Sequence, residues 1–302
     1  MSVSTRGVST LATLGLIAMT AVWGSTFVLI KDVVGRMPVA DFLAVRFLIA
    51  ATVMLVLFAR PVWRLDRRQL QRGLLLGLIY GCGQLLQTWG LSLIAPSVSG
   101  FATGMYVVFT PILALLLLGQ RMAGIVWLAV ALSTLGLGLL SLNGVSVDLG
   151  VWLTLASAAL YALHIVLLGQ WSRKGEAFGL SAVQMVAIAV VCVLATLPHG
   201  PVLPPDSHAW FAILYMALIA GAGAMLMQTW AQSHLPAARA AIVMTTEPVF
   251  AAGFAVLLGS DVLSWRMLVG GGLILVAMYL VELMPVKGEV VAVPAEAVHH
   301  EV

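Results

Sequence analysis

Along the chain, long apolar runs alternate with short clusters of Gly, Pro or charge, and ten of the runs are long enough to cross a bilayer as helices. They cover residues 8–30, 38–58, 70–93, 97–118, 123–142, 149–170, 179–198, 208–233, 237–258 and 262–284. A helix of about 20 residues spans the hydrocarbon core, so the pattern predicts an all-α polytopic membrane protein with ten transmembrane helices. The intervening loops are too short to fold as separate soluble domains. Residues 285–302, with acids, small residues and His299-His300, have no apolar periodicity and are expected to form a disordered tail.

Composition agrees with this reading. Apolar residues make up 62% of the 302-residue chain and charged residues 9%, with a mean hydropathy of +1.08. A soluble domain carries about 25% charged residues, so this chain lacks the means to cover a water-facing surface. The first apolar run is followed by no small-residue cleavage site and is expected to stay as the first span. Cys82 and Cys192 lie inside apolar runs, with neither metal-ligand spacing nor a disulfide framework. No metal, cofactor or nucleic acid is expected; the expected surroundings are the lipid bilayer.

The few charges carry topology. Arg6, Arg60, Arg64, Arg67, Arg68, Arg72, Arg121, Arg173, Lys174, Arg239 and Lys287 belong to the N-terminus, to the connections after even-numbered spans and to the tail. Connections after odd-numbered spans hold only Lys31, Arg36 and Arg266, and Arg46 lies within a span. Positive charge collects on the cytoplasmic side, so both termini are expected there.

The chain also repeats itself. At an offset of 141, Leu85, Gln87-Thr88-Trp89 and Ser92 match Leu226, Gln228-Thr229-Trp230 and Ser233. The same offset pairs Val108-Phe109 with Val249-Phe250, Ala114 with Ala255 and Leu116-Leu117 with Leu257-Leu258. At an offset of 138, Trp23 opposes Tyr161 and Arg46 opposes Gln184. Each unit holds five spans, an odd number, so the second is expected to enter the bilayer upside down. Two five-helix inverted repeats around a central cavity are the architecture of alternating-access carriers, with the substrate near the midplane.

Specific residues then point to a family. Trp23-Gly24-Ser25-Thr26-Phe27, Pro38, Val45-Arg46-Phe47, the stretch from Gly100-Phe101 to Val107-Val108-Phe109 with Pro111 and Leu118-Gly119, and Glu247-Pro248-Val249-Phe250 with Leu257-Leu258-Gly259 resemble the two EamA repeats of the drug/metabolite transporter superfamily. The repeats would occupy residues 8–142 and 149–284. Ser260-Asp261 departs from the pattern, where the second repeat commonly reads Glu after Leu-Gly. The chain is most similar to bacterial aromatic amino-acid exporters. That resemblance implies a multi-pass inner-membrane protein exporting small amphiphilic metabolites, particularly aromatic and other apolar amino acids, and no enzyme.

Polar residues within spans are costly and tend to face the bundle interior or a watery path. Tyr80 and Gln84 share a face of the third span with Gln87, at i, i+4 and i+7; the first two are expected to line the cavity and Gln87 to bond between helices. Thr103, Tyr106 and Thr110 form a similar stripe on the fourth span, and the repeat sets Tyr106 opposite Glu247 of the ninth, which also carries Thr245. Glu247 precedes Pro248, whose missing N–H favours a kink. Its carboxyl has two readings: a structural hydrogen bond near the kink, or contact with a substrate amine or a carried proton. Trp23, Ser25 and Thr26 on the first span, and Tyr161 and His164 on the sixth, complete the candidate site. Arg46 is either a partner for a substrate carboxylate or a side chain that reaches the outer interface or pairs structurally. Trp63, Trp210 and Trp265 are read as interfacial anchors. Gly73, Gly77 and Gly81 have the spacing that lets helices approach closely.

Two other classes compete. Carriers of phosphorylated sugars or nucleotides, or of other metabolites and drugs, belong to the same superfamily, but phosphate recognition calls for several deep cations and only Arg46 lies within a span. An intramembrane enzyme needs a nucleophile with its base, or a metal cluster; no Gly-x-Ser-x-Gly occurs and no two acids share a deep helical face.

Overall fold

The computed structural model describes residues 5–94, 96–141, 148–198, 200–257 and 263–283. The tail at 285–302 and Ser260-Asp261 lie outside the described residues. The first five predicted spans become α1 (Thr5–Val34), α2 (Val39–Trp63), α3 (Arg67–Leu93), the pair α4 (Pro96–Gly104) and α5 (Tyr106–Leu118), and α6 (Gly124–Ser141). The second five become α7 (Leu149–Trp171), α8 (Ala177–Leu194), then α9 (Ser207–Ala217) joined to α10 (Ala224–Gln232) by a π-helical turn at Leu218–Gly223, then the pair α11 (Ala237–Met244) and α12 (Glu247–Leu257), and α13 (Trp265–Leu283). All regular elements among the described residues are helical. Seven helical stretches have the length and apolarity to cross a membrane, and Gly124–Leu139 and Trp265–Leu280 are shorter apolar helices.

The fourth and ninth spans are broken rather than continuous, and they break alike. The Met105 N–H donates to the Ala102 carbonyl at 3.3 Å, and the Thr246 N–H to the Val243 carbonyl at 3.2 Å. Each partner lies 141 residues from its counterpart. The chain resumes through Phe109 N–H to Met105 carbonyl (3.2 Å) and Phe250 N–H to Thr246 carbonyl (3.1 Å), again 141 apart. Gly104, a poor helix former, precedes one break. Pro248 follows the other, near the start of a helix where its missing N–H does least harm.

Helix starts are set by local chemistry. Asp66 accepts the Gln69 N–H at 2.6 Å at the head of α3, and Asp206 accepts the Ala209 N–H at 2.8 Å at the head of α9. Each caps the third span of its repeat. These backbone donors, aided by Arg173 at Asp66 and Arg36 at Asp206, hold both carboxyls below the ordinary carboxylate range. Gly119 ends α5 at φ 65°, a left-handed conformation suited to glycine.

Packing between repeats comes in matched sets. α3 packs on α7 as α9–α10 packs on α1, and α1 packs on α12 as α7 packs on α4–α5. α2 pairs with α8, and α6 with α13, each with its own counterpart. Each helix of one half thus meets the other half as its counterpart does. Close approach depends on the glycines of α3: a Cβ on Gly73 would meet Val183, one on Gly77 would meet the Gln184 backbone and Ala187, and one on Gly81 would meet Val191 and Ile188. The outside of the bundle is apolar, with Leu11, Leu14, Val56, Leu57, Leu116 and Phe211 exposed, while Thr20, Gln84, Gln184, Gln228 and Glu247 are buried. That inside-out distribution suits a lipid surround.

The connections collect at two ends. At one, Arg173 on the α7–α8 connection bonds Asp66 on the α2–α3 connection at 3.2 Å. At the other, Arg36 after α1 bonds Asp206 before α9 at 2.6 Å. Lys31 donates to the Leu91, Ser92 and Ile94 carbonyls at the end of α3, a favourable place for a cation. Arg266 donates to the Leu139 carbonyl of α6 at 3.1 Å. Each of these contacts joins regions that the charge count assigns to the same side.

Candidate functional site

The helices surround a cavity lined by residues from both repeats. Its volume is about 60 Å³ measured at the centre of a water-sized sphere, room for several waters. Six repeat-equivalent pairs line it: Trp23 with Tyr161, Thr26 with His164 and Phe27 with Ile165 at an offset of 138, and Gln87 with Gln228, Thr103 with Met244 and Tyr106 with Glu247 at 141. The cavity therefore straddles the relation between the repeats.

The remaining lining residues are Ile30, Arg46, Tyr80, Gln84, Thr88 and Leu91, all on α1–α3. Their equivalents in the second repeat are packed away. Leu168, Gln184 and Thr229 are fully buried, as are, within 2%, Met225 and Gln232. The cavity extends toward the end where α1 and α3 finish and is sealed toward the opposite end. Two sets of hydrogen bonds make the seal. His164 Nε2 and Gln184 Oε1 are 2.8 Å apart, and Gln184 Nε2 donates to Thr229 Oγ1 at 3.3 Å. Gln232 Nε2 donates to the Ile165 carbonyl at 2.8 Å, and its Oε1 accepts from Gln228 at 3.1 Å.

Tyr161 is the hub of the polar wall. Its hydroxyl accepts from Gln84 Nε2 at 2.7 Å and donates to Gln87 Oε1 at 2.8 Å, and Gln87 Nε2 donates to Thr103 Oγ1 at 3.1 Å. Gln87 thus belongs to the cavity wall as well as bonding between helices. The Tyr80 ring lies 5.2 Å from the Tyr161 ring and 5.0 Å, edge-on, from His164. Trp23 is held by its Nε1–H, which donates to the Ala220 carbonyl in the π-helical turn at 2.9 Å.

Several polar groups at the cavity lack protein partners. Tyr106 Oη, His164 Nδ1 and Gln228 Oε1 are buried without a hydrogen bond. The Glu247 carboxylate is 8% exposed and has no hydrogen bond or ion pair among the described residues. Arg46 is 5% exposed; its Nε donates to the Met216 carbonyl at 3.1 Å, which leaves both terminal nitrogens unbonded among the described residues. Arg46 is therefore held inside the bundle by one backbone carbonyl, with no ion pair among the described residues. Buried polar groups are ordinarily satisfied, and a concentration of unsatisfied ones around one cavity marks a place where a polar solute or water bonds.

The EamA-like transporter family matches residues 10–142 and again residues 148–283. The chain belongs to that family. This EamA protein is accordingly a multi-pass membrane transporter and not an enzyme. It is 29% identical over 277 residues to an uncharacterized transporter of Archaeoglobus fulgidus, covering 90% of this chain and 86% of that one. A crystal structure of a protein with 18% sequence identity shares the fold at a TM-score of 0.75, covering 91% of this chain and 96% of that one.

Of the residues singled out from sequence, Trp23, Thr26, Tyr80, Gln84, Thr103, Tyr106, Tyr161, His164, Glu247 and Arg46 meet at the cavity of the EamA protein. Ser25 and Thr245 do not. Ser25 lies about 200° around α1 from Trp23, and its hydroxyl bonds the Val22 carbonyl at 2.6 Å and Tyr215 Oη at 2.8 Å. Thr245 sits in the break between α11 and α12, fully buried, with its hydroxyl on the Ile242 carbonyl at 2.6 Å; Met244 takes the lining position instead. Gln228 was legible as the repeat match of Gln87. Phe27, Ile30, Leu91, Ile165 and Met244 carry no polar signal and required the fold.

Proposed function

We propose that this EamA protein is an inner-membrane carrier that exports small amphiphilic metabolites, chiefly aromatic and other apolar amino acids, by alternating access through this cavity. One observation carries the reading: a carboxylate on the second repeat and a guanidinium on the first line one cavity without pairing to each other. An α-amino acid is a zwitterion, so its carboxylate fits the free nitrogens of Arg46 and its ammonium fits Glu247. Aromatic side chains favour offset or edge contacts with other rings, which Tyr80, Tyr161 and Trp23 offer. Five spans per repeat give the halves opposite orientations in the bilayer, and the charge distribution favours cytoplasmic termini. Proton coupling would run through Glu247, which can carry either a proton or an ammonium.

The test is counterflow in liposomes containing only this protein, with labelled Phe, Tyr, Trp, Met or Thr. Exchange of Phe, Tyr or Trp is expected. Absence of exchange for all five would remove the amino-acid reading and leave other metabolites or drugs of the superfamily. An imposed pH gradient that drives uphill movement in the parent but not in Glu247→Gln would support coupling; indifference in both supports facilitated exchange. A reporter fused after Lys287 that is active only outside the cytoplasm would overturn the topology.

A further inference from the structure

The seal at the closed end is built from His164 on α7, Gln184 on α8 and Thr229 on α10, with Gln184 as the bridge. Their repeat equivalents are Thr26 on α1, Arg46 on α2 and Thr88 on α3, at offsets of 138, 138 and 141. All three equivalents line the cavity, and among the described residues Arg46 bonds neither threonine. We propose that Arg46 is the bridge that closes the open end: in the opposite state of the carrier its guanidinium joins Thr26 and Thr88, as Gln184 here joins His164 and Thr229. This rests on the alternating-access reading and adds to it the identity of the second seal.

The chemistry of the two trios is compatible with the same bridging role. Gln184 carries both a donor and an acceptor, and uses the acceptor toward a histidine nitrogen and the donor toward a threonine hydroxyl. Arg46 has donors only, so both of its partners must accept. Thr26 Oγ1 donates to the Trp23 carbonyl at 2.8 Å, which leaves its lone pairs free. The Thr88 hydroxyl has no partner among the described residues. Arg46 Nε is anchored on Met216, while the terminal nitrogens that would reach the threonines are unbonded. A second asymmetry accompanies the first. The π-helical turn at Leu218–Gly223 accepts Trp23, whereas the equivalent part of α3 is regular helix. The two repeats thus hold different conformations of the same plan, as expected if exchanging those conformations exchanges the open end.

The experiment uses full-length protein in nanodiscs, with Cys82→Ser and Cys192→Ala as background and Leu168→Cys as reporter. Leu168 is the equivalent of Ile30 and is fully buried here, so its thiol reacts with a water-soluble maleimide only when the sealed end opens. No substrate is added, so the result is independent of whether amino acids are carried. Arg46→Leu is expected to slow labelling by about tenfold, through loss of the bridging hydrogen bonds in the state it reports. Arg46→Gln copies the second repeat and restores labelling, even though it loses the charge that would hold a substrate carboxylate. Thr26→Val with Thr88→Val keeps side-chain shape and repeats the slowing if Arg46→Leu alters folding. Gln184→Leu is expected to speed labelling. Equal rates for folded Arg46→Leu and Arg46→Gln, or no slowing in the threonine double variant, would overturn the proposal.

Discussion

Tyr106 and Glu247, 141 residues apart, each begin the second half of a broken helix, and both face the same cavity. Helix N-termini carry partial positive charge and unpaired N–H groups, so two such ends flank the place where Glu247 stands unpaired. Removing its charge alone isolates the role of the carboxylate. Glu247→Gln is expected to lower counterflow of Phe about tenfold or more, the scale of a lost hydrogen bond to a charged group, with little change in the folded fraction by size exclusion. Unchanged exchange would sink the ammonium site.

Tyr161 holds Gln84 and Gln87 through one hydroxyl. Tyr161→Phe keeps the ring contact with Tyr80 and strands two amide groups, at a cost of about 1–3 kcal/mol for a buried unpaired group. Counterflow with Phe and Tyr should show a higher half-saturation concentration and a lower melting temperature. If neither moves, the hydroxyl has no organising role.

α3 and α8 meet where Gly77 faces the Gln184 backbone and Ala187. Gly77→Val forces these helices apart, and overpacking of this kind costs about 1–3 kcal/mol. A drop in melting temperature is expected, together with faster labelling of Leu168→Cys, because Gln184 belongs to the seal. Gly253→Ala, where nothing lies near the added carbon, serves as the control and should leave both measurements in place.

At the membrane boundary, the carboxyls of Asp66 and Asp206 are held below the ordinary range, first by the N–H groups they cap. A depressed folded-state value means that their stabilisation is present at neutral pH. It is lost as pH falls from the unfolded value of about 3.9 through the lower folded values. Asp66→Ala is expected to lower the melting temperature at pH 7, Asp66→Asn to lower it less because an amide oxygen still caps, and the parent to converge on Asp66→Asn in strong acid, where its neutral carboxyl caps in the same way. Persistence in acid of the pH 7 gap between the parent and Asp66→Asn would exclude the charge of Asp66 as its source.

Fold and site differed in how far they could be read in advance. All ten apolar runs hold helices, and the Gln-Thr-Trp triplet exposed the repeat, because span length and repeat offset are properties of the chain in one dimension. Ser25 shows where that reading ends. It sits beside residues of the cavity, yet a turn of about 200° from Trp23 sends its hydroxyl to Tyr215. On helices apolar nearly all round, facial bias is too weak to settle rotation; neighbouring helices do so.

The breaks at Met105 and Thr246 lie deeper in the same difficulty, since Pro248 announces one of them and no proline stands at the other. Sequence by itself determined the membrane class, the number of spans, the grouping of charge and the internal duplication, because a bilayer requires each crossing to satisfy its backbone within the helix. Only the tertiary structure decided that Arg46 faces the cavity while its equivalent Gln184 is locked in a seal. Both sit at matching positions in matching repeats, and the difference between them arises from what each meets: Gln184 lies between His164 and Thr229, while Arg46 bonds only the Met216 carbonyl among the described residues.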